Sequence, residues 1–523
     1  MQQTTPLYLA ESIREMDRIA IEECHISGFE LMQRAAQFAF TTLLSRWPKV
    51  SRLTILCGGG NNGGDGYVVA ALAKQHNLHV DLIAVSDPAR LTGDAQFAYQ
   101  LSLTTKNVTL AFRESNWAKL LPDPAISSDI PSDDASLNFI EHVIVDAMLG
   151  TGLNKDVNGA YRDAIEQCNA SQTPVIAMDL PSGLSADTGR AMGTAVHADC
   201  TVSFIGRKLG VMTGQGRAYA GQLYFSDLNV PPKALLSQTP CAQQLELNAL
   251  ITEVPKKVKH THKGHYGHVL LIGGDKGFGG AILLAAEACA RMGAGLTSVA
   301  TQPEHCSALL SRCPEVMVKG LNSPDGLPPM LAKATVIVIG PGLGQSAWSQ
   351  DMLKQVLTKQ TPTIFDADAL NLISSHPEWL PPDTRHGVFT PHPGEAARLL
   401  NTGTAAIEND RLSSVKQLQD KLGGSVILKG SGSLIACSQD DITLCPYGNP
   451  GMASGGMGDV LSGILGGLIA QEFPSALSAK LGVCLHAAAA DMACEDQGER
   501  GLLAADLIPY ARALLNKKRV LRS

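Results

Sequence analysis

Short apolar runs alternate with glycine-rich or acidic segments along most of the chain, a pattern that predicts buried strands followed by loops and helices. In the first half, strands are predicted at 52–57, 79–85, 142–145, 174–178 and 222–227. In the second half, they are predicted at 268–272, 336–339, 363–365, 388–390 and 426–428. Apolar residues at helical spacing predict helices at 11–24, 29–47 and 282–292, and along the apolar run that ends at Ala470. Alternating strands and helices indicate an α/β protein with parallel sheets.

The length and one proline-rich stretch predict two domains. A chain of 523 residues is too long for a single hydrophobic core. Prolines and polar residues after the last strand of the first half suit a linker at 230–247. We therefore predict one domain at 1–229 and a second at 248–523. The Ser-, Pro- and Asp-rich segment 114–136 is predicted to be a solvated loop without an assigned function.

Charge, hydropathy and cysteine usage indicate which partners and which compartment suit the protein. A net charge of −7 argues against nucleic acid, and the basic tail Lys517, Lys518 and Arg519 suits the end of a helix. The sequence has no run of about 18 apolar residues, so no membrane-spanning helix is predicted. The 12 cysteines show no CxxC pair, which disfavours zinc and disulfides and favours a reducing compartment. We expect a soluble cytoplasmic protein that binds neither nucleic acid nor membrane.

The stretch GNPGMASGGMGD is the strongest chemical signal in the second half. Gly451, Gly455, Gly456 and Gly458 precede an apolar helix, so backbone N–H groups at the helix start can bind an anion. A carboxylate beside a phosphate site is unfavourable unless it acts as a base or helps to hold a metal ion. We interpret Asp459 as a catalytic base. The alternative is an ordinary helix start with an acidic first turn.

In the first half, the loop GGGNNGGDG follows the strand at 52–57. Its glycines match GxGxxG, so a dehydrogenase is one interpretation, with its ribose-binding acid at Asp81 or Asp87. Asn61, Asn62 and Asp65 add side-chain oxygens, which suit a hard cation or sugar hydroxyls better than a simple pyrophosphate turn.

Two further strands of this half each end in an acidic loop, DAMLGTGL at 146–153 and DLPSG at 179–183. Because carboxyl ends of parallel strands line one crevice, Asp146, Asp179 and Ser182 are predicted to lie near the asparagine loop.

NNGGDG, VDAMLGTGL and MDLPSG, in this order, resemble the NAD(P)H-hydrate epimerase domain. That family interconverts the epimers of hydrated NADH or NADPH at nicotinamide C6 and holds a potassium ion. The resemblance implies potassium ligands at Asn62, Asp146 and Ser182. It implies substrate contacts at Asn61, Asn62, Gly63, Gly64, Asp65, Gly150, Thr151, Gly152, Leu153, Asn154, Lys155, Asp156, Tyr161 and Asp179. From its position, Asp179 is also our candidate acid or base.

In the second half, GPGLG, TPHPGE, LKGSGS and GGMGD together resemble the ADP-dependent NAD(P)H-hydrate dehydratase, which has a ribokinase-like fold. The implied hydrate contacts are Ala281, Gly342, His392 and Asp459. The implied nucleotide contacts are Lys429, Gly430, Ser431, Gly432, Ser433 and Gly458. The histidines of KHTHKGHYGH have no acidic or cysteine partners nearby, which disfavours a metal site there.

The predicted fold is thus a Rossmann-like three-layer α/β/α domain followed by a ribokinase-like α/β domain. The predicted enzyme epimerises hydrated NADH or NADPH in its first half and dehydrates the S epimer in its second. Hydroxide is a poor leaving group, so phosphorylating the C6 hydroxyl with ADP and magnesium, with Asp459 as base, would assist its loss. We expect a homo-oligomer with small-molecule substrates.

Three alternatives stay open at this stage. One is a ribokinase-like kinase for a small molecule. Another treats the first domain as a non-catalytic nucleotide-binding module. The third is the dehydrogenase.

Overall fold

The computed structural model describes residues 4–112, 140–255 and 259–516. The segment 114–136 and the tail residues Lys517, Lys518 and Arg519 lie outside them. The described chain forms two compact units, one spanning Pro6–Cys241 and one that comprises Thr4, Thr5 and the chain from Ala242 onward. The change from one unit to the next falls inside the stretch predicted as a linker, which contains a short helix and a short strand.

Nine strands are found before residue 242 in the described chain: Thr4–Tyr8 (β1), Arg52–Cys57 (β2), His79–Ala84 (β3), Thr109–Ala111 (β4), His142–Ala147 (β5), Val175–Met178 (β6), Cys200–Phe204 (β7), Arg207–Lys208 (β8) and Gln222–Ser226 (β9). The helices of this region are Ala10–Glu22 (α1), Gly28–Arg46 (α2), Asn61–Gln75 (α3), Gly93–Thr104 (α4), Gly159–Ala170 (α5), Gly216–Ala220 (α6) and Pro232–Leu235 (α7).

A parallel sheet in the order β4-β3-β2-β5-β6-β7-β9 forms the centre of the first unit. Successive side chains of a strand point to opposite faces. Leu53 and Ile55 of β2 accordingly join the core formed with α1–α4, whereas Leu56 joins a second core with Ile165 of α5. Helices therefore cover both faces, which confirms the three-layer prediction.

The second unit contains the strands Ala242–Leu245 (β10), His268–Ile272 (β11), Leu296–Thr301 (β12), Met317–Gly320 (β13), Val336–Ile339 (β14), Thr363–Phe365 (β15), Gly387–Phe389 (β16), Ser425–Leu428 (β17), Leu434–Ala436 (β18) and Ile442–Leu444 (β19). Its helices are Leu247–Glu253 (α8), Gly279–Met292 (α9), Cys306–Arg312 (α10), Pro328–Leu331 (α11), Ala347–Leu357 (α12), Ala367–Ser375 (α13), Pro393–Leu399 (α14), Thr404–Asn409 (α15), Arg411–Leu422 (α16), Met457–Ile469 (α17), Ser475–Gln497 (α18) and Leu507–Leu515 (α19).

The strands of this unit follow the order β13-β12-β11-β14-β15-β16-β17-β18-β19-β10. Pairing is parallel from β13 to β17 and antiparallel at β17-β18-β19. Helix α17 packs so closely on α9 that only glycine fits at position 463. A Cβ there would lie 2.2 Å from the carbonyl oxygen of Ala285. This packing fixes the glycine-rich start of α17 at the carboxyl ends of the central parallel strands.

The predicted strands and the α/β class are confirmed. The prediction missed β1, β4, β7, β8 and several strands of the second unit, and it started α9 three residues late. All 12 cysteines are free. Within the described ranges, no helix is long and apolar enough to cross a membrane.

Candidate active sites

The first candidate site lies at the carboxyl ends of β2, β5 and β6, which are neighbours in the sheet. The loop after β2 leads into α3, and its tight course requires glycine. A Cβ on Gly58 would lie 1.8 Å from the carbonyl oxygen of Met148, and one on Gly63 would lie 2.1 Å from the carbonyl oxygen of Gly58. The asparagine loop is thereby held against the loop that follows β5.

Asp146 and Ser182 form the buried base of this site. The Ser182 hydroxyl donates to Asp146 Oδ1 at 2.5 Å, and the Ser182 N–H donates to Oδ2 at 2.7 Å. The Met148 N–H also donates to Oδ1, at 3.2 Å. Asp146 is fully buried, and burial raises its pKa to about 6 although these hydrogen bonds lower it.

Asn62 reaches the same place from the start of α3. Its Nδ2 donates to the carbonyl oxygen of Leu149 at 3.1 Å, and the Leu149 N–H donates to Ser182 Oγ at 2.8 Å. Asn62 Oδ1 is buried and has no hydrogen-bond partner among the described residues. The structure therefore brings together the three predicted potassium ligands, Asn62, Asp146 and Ser182.

Asp179 follows β6 with a left-handed backbone, φ 67°. Its Oδ1 accepts a hydrogen bond from the Phe204 N–H at 3.3 Å and is the ion-pair partner of Lys208 Nζ. Asp65 and Asp17 interact electrostatically with this pair. Burial, then Asp179, raises the pKa of Asp17 to about 6 and that of Asp65 well above its usual range, while Lys208 lowers both.

The other predicted substrate residues form the rim of this site. The hydroxyl of Tyr161 accepts a hydrogen bond from the Gly59 N–H at 3.1 Å. Arg14 donates to the Thr151 carbonyl oxygen at 3.2 Å. The remaining members are the buried Gly63 and Gly64, the half-buried Gly150 and Leu153, and the exposed Asn61, Gly152, Asn154, Lys155 and Asp156.

The two acids considered for a dehydrogenase are engaged elsewhere. Asp81 lies inside β3 rather than at its end and accepts from Arg52 at 2.7 Å. Asp87 caps a short helical turn by accepting from the Ala89 N–H at 3.0 Å. Both carboxylates therefore already have hydrogen-bond partners within the chain.

The second candidate site lies at the carboxyl ends of β14, β15, β16 and β17, again neighbours in their sheet. Its centre is Asp366, which directly follows β15 and is 1% exposed. Oδ1 accepts from Lys429 Nζ at 2.9 Å and from Thr390 Oγ1 at 2.7 Å, and Oδ2 accepts from Ser462 Oγ at 2.8 Å. Burial opposes ionisation, but Lys429 and these hydrogen bonds outweigh it and lower the pKa of Asp366.

Asp459 stands in the first turn of α17, near this network. Its pKa is raised to about 7, chiefly by burial and then by Asp366, while Lys429 lowers it. A Cβ on Gly458 would lie 3.3 Å from Lys429 Nζ and 3.6 Å from Asp366 Oδ2. The start of the helix, Lys429 and Asp366 therefore meet at one point.

His392 caps α14 instead of standing free. Its Nδ1 accepts from the Gly394 N–H at 3.0 Å, and the Glu395 carboxylate accepts from the His392 N–H at 2.8 Å. Burial, then Lys429, lowers the pKa of the imidazole, so it is neutral near pH 7. The Nε2 atom lies 3.3 Å from Glu395 Oε1, on a ring that is half exposed.

The remaining predicted residues of this half surround the same crevice. Gly342 has φ 57°, and a Cβ there would lie 3.1 Å from the Cβ of Ala281. Gly430 and Gly432 also have positive φ, and Ser433 Oγ donates to the Gly430 carbonyl oxygen at 3.0 Å. Ser431 is exposed between them.

Sequence reasoning missed several residues that the structure places at the sites. They are Lys208 and Asp17 in the first unit, and Asp366, Thr390 and Ser462 in the second. A signal existed for Asp366, because an acid directly after a buried strand is the pattern that identified Asp146. Lys208 gave no comparable signal, since it lies in a two-residue strand.

Known protein families match both halves. The family described as "YjeF-related protein N-terminus" matches residues 28–210, and the one described as "NAD(P)H-hydrate dehydratase" matches 269–512. The Coxiella burnetii bifunctional NAD(P)H-hydrate repair enzyme Nnr is 43% identical over 512 residues, 98% of this chain and 100% of that one. The chain belongs to the family of bifunctional NAD(P)H-hydrate repair enzymes. Both resemblances seen in the sequence are thereby confirmed.

Other members show the same extent of similarity. The Escherichia coli bifunctional NAD(P)H-hydrate repair enzyme Nnr is 40% identical, with 98% of this chain and 94% of that one covered. Among solved structures, an ADP/ATP-dependent NAD(P)H-hydrate dehydratase from Bacillus subtilis, co-crystallised with ATP and Mg²⁺, aligns at 29% identity and a TM-score of 0.47. That alignment covers 51% of this chain and 96% of the other.

Proposed function

We propose that this protein repairs hydrated NADH and NADPH with two activities. Residues 1–229 interconvert the R and S hydrates at nicotinamide C6, and residues 248–523 dehydrate the S hydrate in an ADP-dependent reaction that yields AMP and phosphate. The linker is 230–247. Family membership supports this function over a kinase, a dehydrogenase or a purely regulatory first half.

The observation that carries the dehydratase proposal is the half-buried Asp459 at a glycine-lined helix start, opposite Lys429. With a pKa of about 7, this carboxyl is ionised in a large fraction of molecules at neutral pH and can accept a proton. The positive end of α17 and the Lys429 ammonium supply the charge that a transferred phosphoryl group needs.

The dehydration follows from this arrangement. Asp459 takes the proton of the C6 hydroxyl as the oxygen attacks the terminal phosphoryl group of ADP, and AMP leaves. The C6–O bond of the phosphate ester then breaks with help from the lone pair of the ring nitrogen, and loss of a ring proton restores the dihydronicotinamide. In this scheme Ala281, Gly342 and His392 hold the hydrate, and Lys429–Ser433 with Gly458 hold the nucleotide.

The epimerisation uses the first crevice. A proton from the acidic cluster converts the C6 hydroxyl to water, which leaves as the ring nitrogen donates its lone pair to C6. Water then adds to either face of the planar C6 and returns the proton. We propose Asp179 as the residue that exchanges this proton, because it is partly exposed while its Oδ1 is fixed by two donors.

Potassium fits the residues of the first crevice. The buried, unpartnered Asn62 Oδ1, the Asp146 carboxylate and the Ser182 hydroxyl are oxygen donors of the kind that hard cations prefer. Bound there, potassium would supply positive charge beside Asp146 and help to orient the substrate.

For magnesium, the second crevice offers fewer protein ligands than the first crevice offers for potassium. In the part of the chain that the structure describes, no group of three His, Cys, Asp or Glu residues could hold a metal ion. Magnesium is usually bound by substrate phosphates and one or two carboxylates, and Asp368, which interacts electrostatically with Asp459, would be one such carboxylate. It would neutralise phosphate charge during the transfer.

We further propose that the enzyme acts in the cytoplasm, in keeping with its unpaired cysteines, and that it forms a homo-oligomer.

The test is recovery of the reduced nicotinamide absorbance near 340 nm from an epimer mixture of NADPH hydrate, with magnesium, potassium and ADP. Rapid recovery of both epimers is expected, with AMP and phosphate as products. Accumulation of a stable phosphorylated hydrate would instead identify a kinase. Recovery of only the S hydrate, with the rest following at the rate in buffer, would remove the epimerase from the proposal.

A further inference from the structure

Lys208 is a buried cation that exchanges no proton in the proposed epimerisation but donates to its acid, Asp179. Its side chain is 1% exposed. The ammonium donates to Asp179 Oδ1 and to the carbonyl oxygen of Phe204, the latter at 3.0 Å. Burying an ammonium group costs free energy unless an anionic partner compensates for the lost hydration. Asp179 is that partner for Lys208.

The N-terminal segment holds Lys208 in this place. Strand β8 pairs in parallel with β1, and Tyr8 is the register partner of Lys208. The preceding Gly206 lies against the same segment, because a Cβ there would approach Ile13 at 3.0 Å and Tyr8 at 3.1 Å. This arrangement lies partly outside the matched family range, 28–210, since β1 and α1 precede residue 28.

The two donors on Asp179 leave one of its oxygens available. Oδ1 accepts from Lys208 Nζ and from the Phe204 N–H. Among the described residues, Oδ2 accepts no hydrogen bond, and 17% of the side chain is exposed. Asp179 also keeps a left-handed backbone that residues other than glycine rarely adopt, which indicates that its surroundings fix its position.

The cation also sits among two further carboxylates. Asp17 of α1 and Asp65 of α3 both interact electrostatically with Asp179 and Lys208. Three carboxylates surround one ammonium, so ionising all of them would leave net negative charge in a mostly buried space. Burial and then this crowding of like charges raise the pKa values of Asp17 and Asp65, while Lys208 lowers both.

We propose that Lys208 is a positioning residue of the epimerase, which fixes Oδ1 of Asp179 so that Oδ2 faces the C6 hydroxyl and exchanges the proton. This inference rests on the proposed epimerase function. In the step, the proton passes from the carboxyl to the C6 oxygen, the C6–O electron pair leaves with water, and the nitrogen lone pair forms the C=N bond. Water addition reverses each transfer, so no other reactant is consumed.

The test uses the full chain and one purified epimer of NADPH hydrate, without ADP so that dehydration does not occur. Epimer interconversion is followed by chromatography for wild type, Lys208→Met, Asp179→Asn and the double variant. For Lys208→Met we expect kcat to fall about 10- to 100-fold, with KM changed less than about threefold. The double variant should be no slower than Asp179→Asn, because Lys208 acts through that carboxylate.

Two controls separate positioning from folding. Lys49→Met removes an exposed lysine from the same half and should retain the wild-type rate. ADP-dependent dehydration by each variant reports whether the second half is intact. The circular dichroism spectrum of the full chain, compared with that of wild type, reports any loss of helix or strand. If Lys208→Met does not fold, Lys208→Arg keeps the charge but displaces the donor, and it should show the same selective loss of kcat.

Several outcomes would overturn the inference. Wild-type kcat in a folded Lys208→Met or Lys208→Arg variant would do so, as would a double variant whose losses multiply. A wild-type chain that interconverts epimers no faster than buffer would instead overturn the proposed epimerase function.

Discussion

Lys429 Nζ lies 2.9 Å from Oδ1 of Asp366 in the crevice of the second unit, and the carboxylate that holds it is almost fully buried. Thr390 and Ser462 donate two further hydrogen bonds to Asp366. The net effect of this pairing is to raise the pKa of Lys429 although burial alone would lower it. The positive charge opposite Asp459 is therefore retained at neutral pH and held in one place.

Replacing Asp366 by Asn should destabilise the second unit by about 3 kcal/mol, because the Lys429 ammonium would lose its closest counter-charge. Glu395, at 3.8 Å, is then the nearest remaining carboxylate. Scanning calorimetry of the full chain measures the change as a lower temperature for the transition that removes dehydratase activity. Asp351→Asn, which removes an exposed carboxylate from α12, is the matched control and should leave that transition unchanged.

The contribution of Asp366 has a defined pH window. Its folded-state pKa is lowered, so its stabilising effect is present above its ordinary value of 3.8 and is lost as pH falls through the folded-state value. The contribution of Asp366 itself to the stability difference between wild type and Asp366→Asn should thus be lost only as the pH falls below 3.8. A difference that disappears already at pH 6 would contradict this assignment.

The dehydratase should lose activity on the acid side of neutrality. Asp459 has a pKa of about 7, and a protonated carboxyl cannot accept the C6 hydroxyl proton. Below this pH the rate of ADP-dependent dehydration should fall about tenfold per pH unit. Single-turnover recovery of absorbance between pH 5.5 and 8.5, corrected for hydrate formation in buffer, measures it.

A variant of Lys429 provides the check on that profile. Lys429 lowers the pKa of Asp459, so Lys429→Met should move the acid limb to higher pH while also weakening nucleotide binding. Saturating ADP separates the two effects. A limb that stays near pH 7 in the variant, or a wild-type rate that is flat down to pH 5.5, would assign the proton to another group.

The sequence predicted the elements whose causes are local. The strand at 52–57 could be predicted from its apolar run alone. The acids that follow buried strands could be placed in one crevice because the carboxyl ends of parallel strands lie at the same edge of a sheet. Those signals found Asp146, Ser182 and Asp179, and the structure places Asp146 and Ser182 2.5 Å apart although 36 residues separate them.

The pairings that the sequence did not predict join residues far apart in the chain. Asp366 meets Lys429 across 63 residues and Ser462 across 96, and none of the three has a local pattern that announces the others. Lys208 is buried only because β8 pairs with β1, and a two-residue strand has no recognisable period. Tertiary contacts of this kind cannot be derived from propensity and spacing alone.

Potassium should stabilise the first unit in proportion to its binding at Asn62, Asp146 and Ser182. At about ten times its dissociation constant, a bound ion contributes roughly 1.4 kcal/mol, which corresponds to a Tm increase of about 3–6 °C for a unit of this size. Calorimetry in potassium chloride against choline chloride at equal ionic strength measures it.

The matched variants are Asn62→Ala, which removes the unpartnered Oδ1, and Asn61→Ala, which removes an exposed neighbour. The first should abolish the potassium-specific shift and the second should retain it. An equal Tm increase in choline chloride would mean that the effect is not specific to potassium. A full Tm increase in Asn62→Ala would mean that potassium does not bind at this crevice.

Asp459→Asn should separate the two activities. The amide keeps the shape of the carboxyl but cannot accept the proton, so ADP-dependent dehydration should fall by about 10²- to 10⁴-fold. Epimer interconversion, which uses Asp179 in the other unit, should continue at the wild-type rate and thereby report that the chain is folded. If dehydration stayed within a few-fold of wild type, the base would have to be another group. A parallel loss of both activities would mean that the substitution acts through folding, since no step assigned to the first unit involves Asp459.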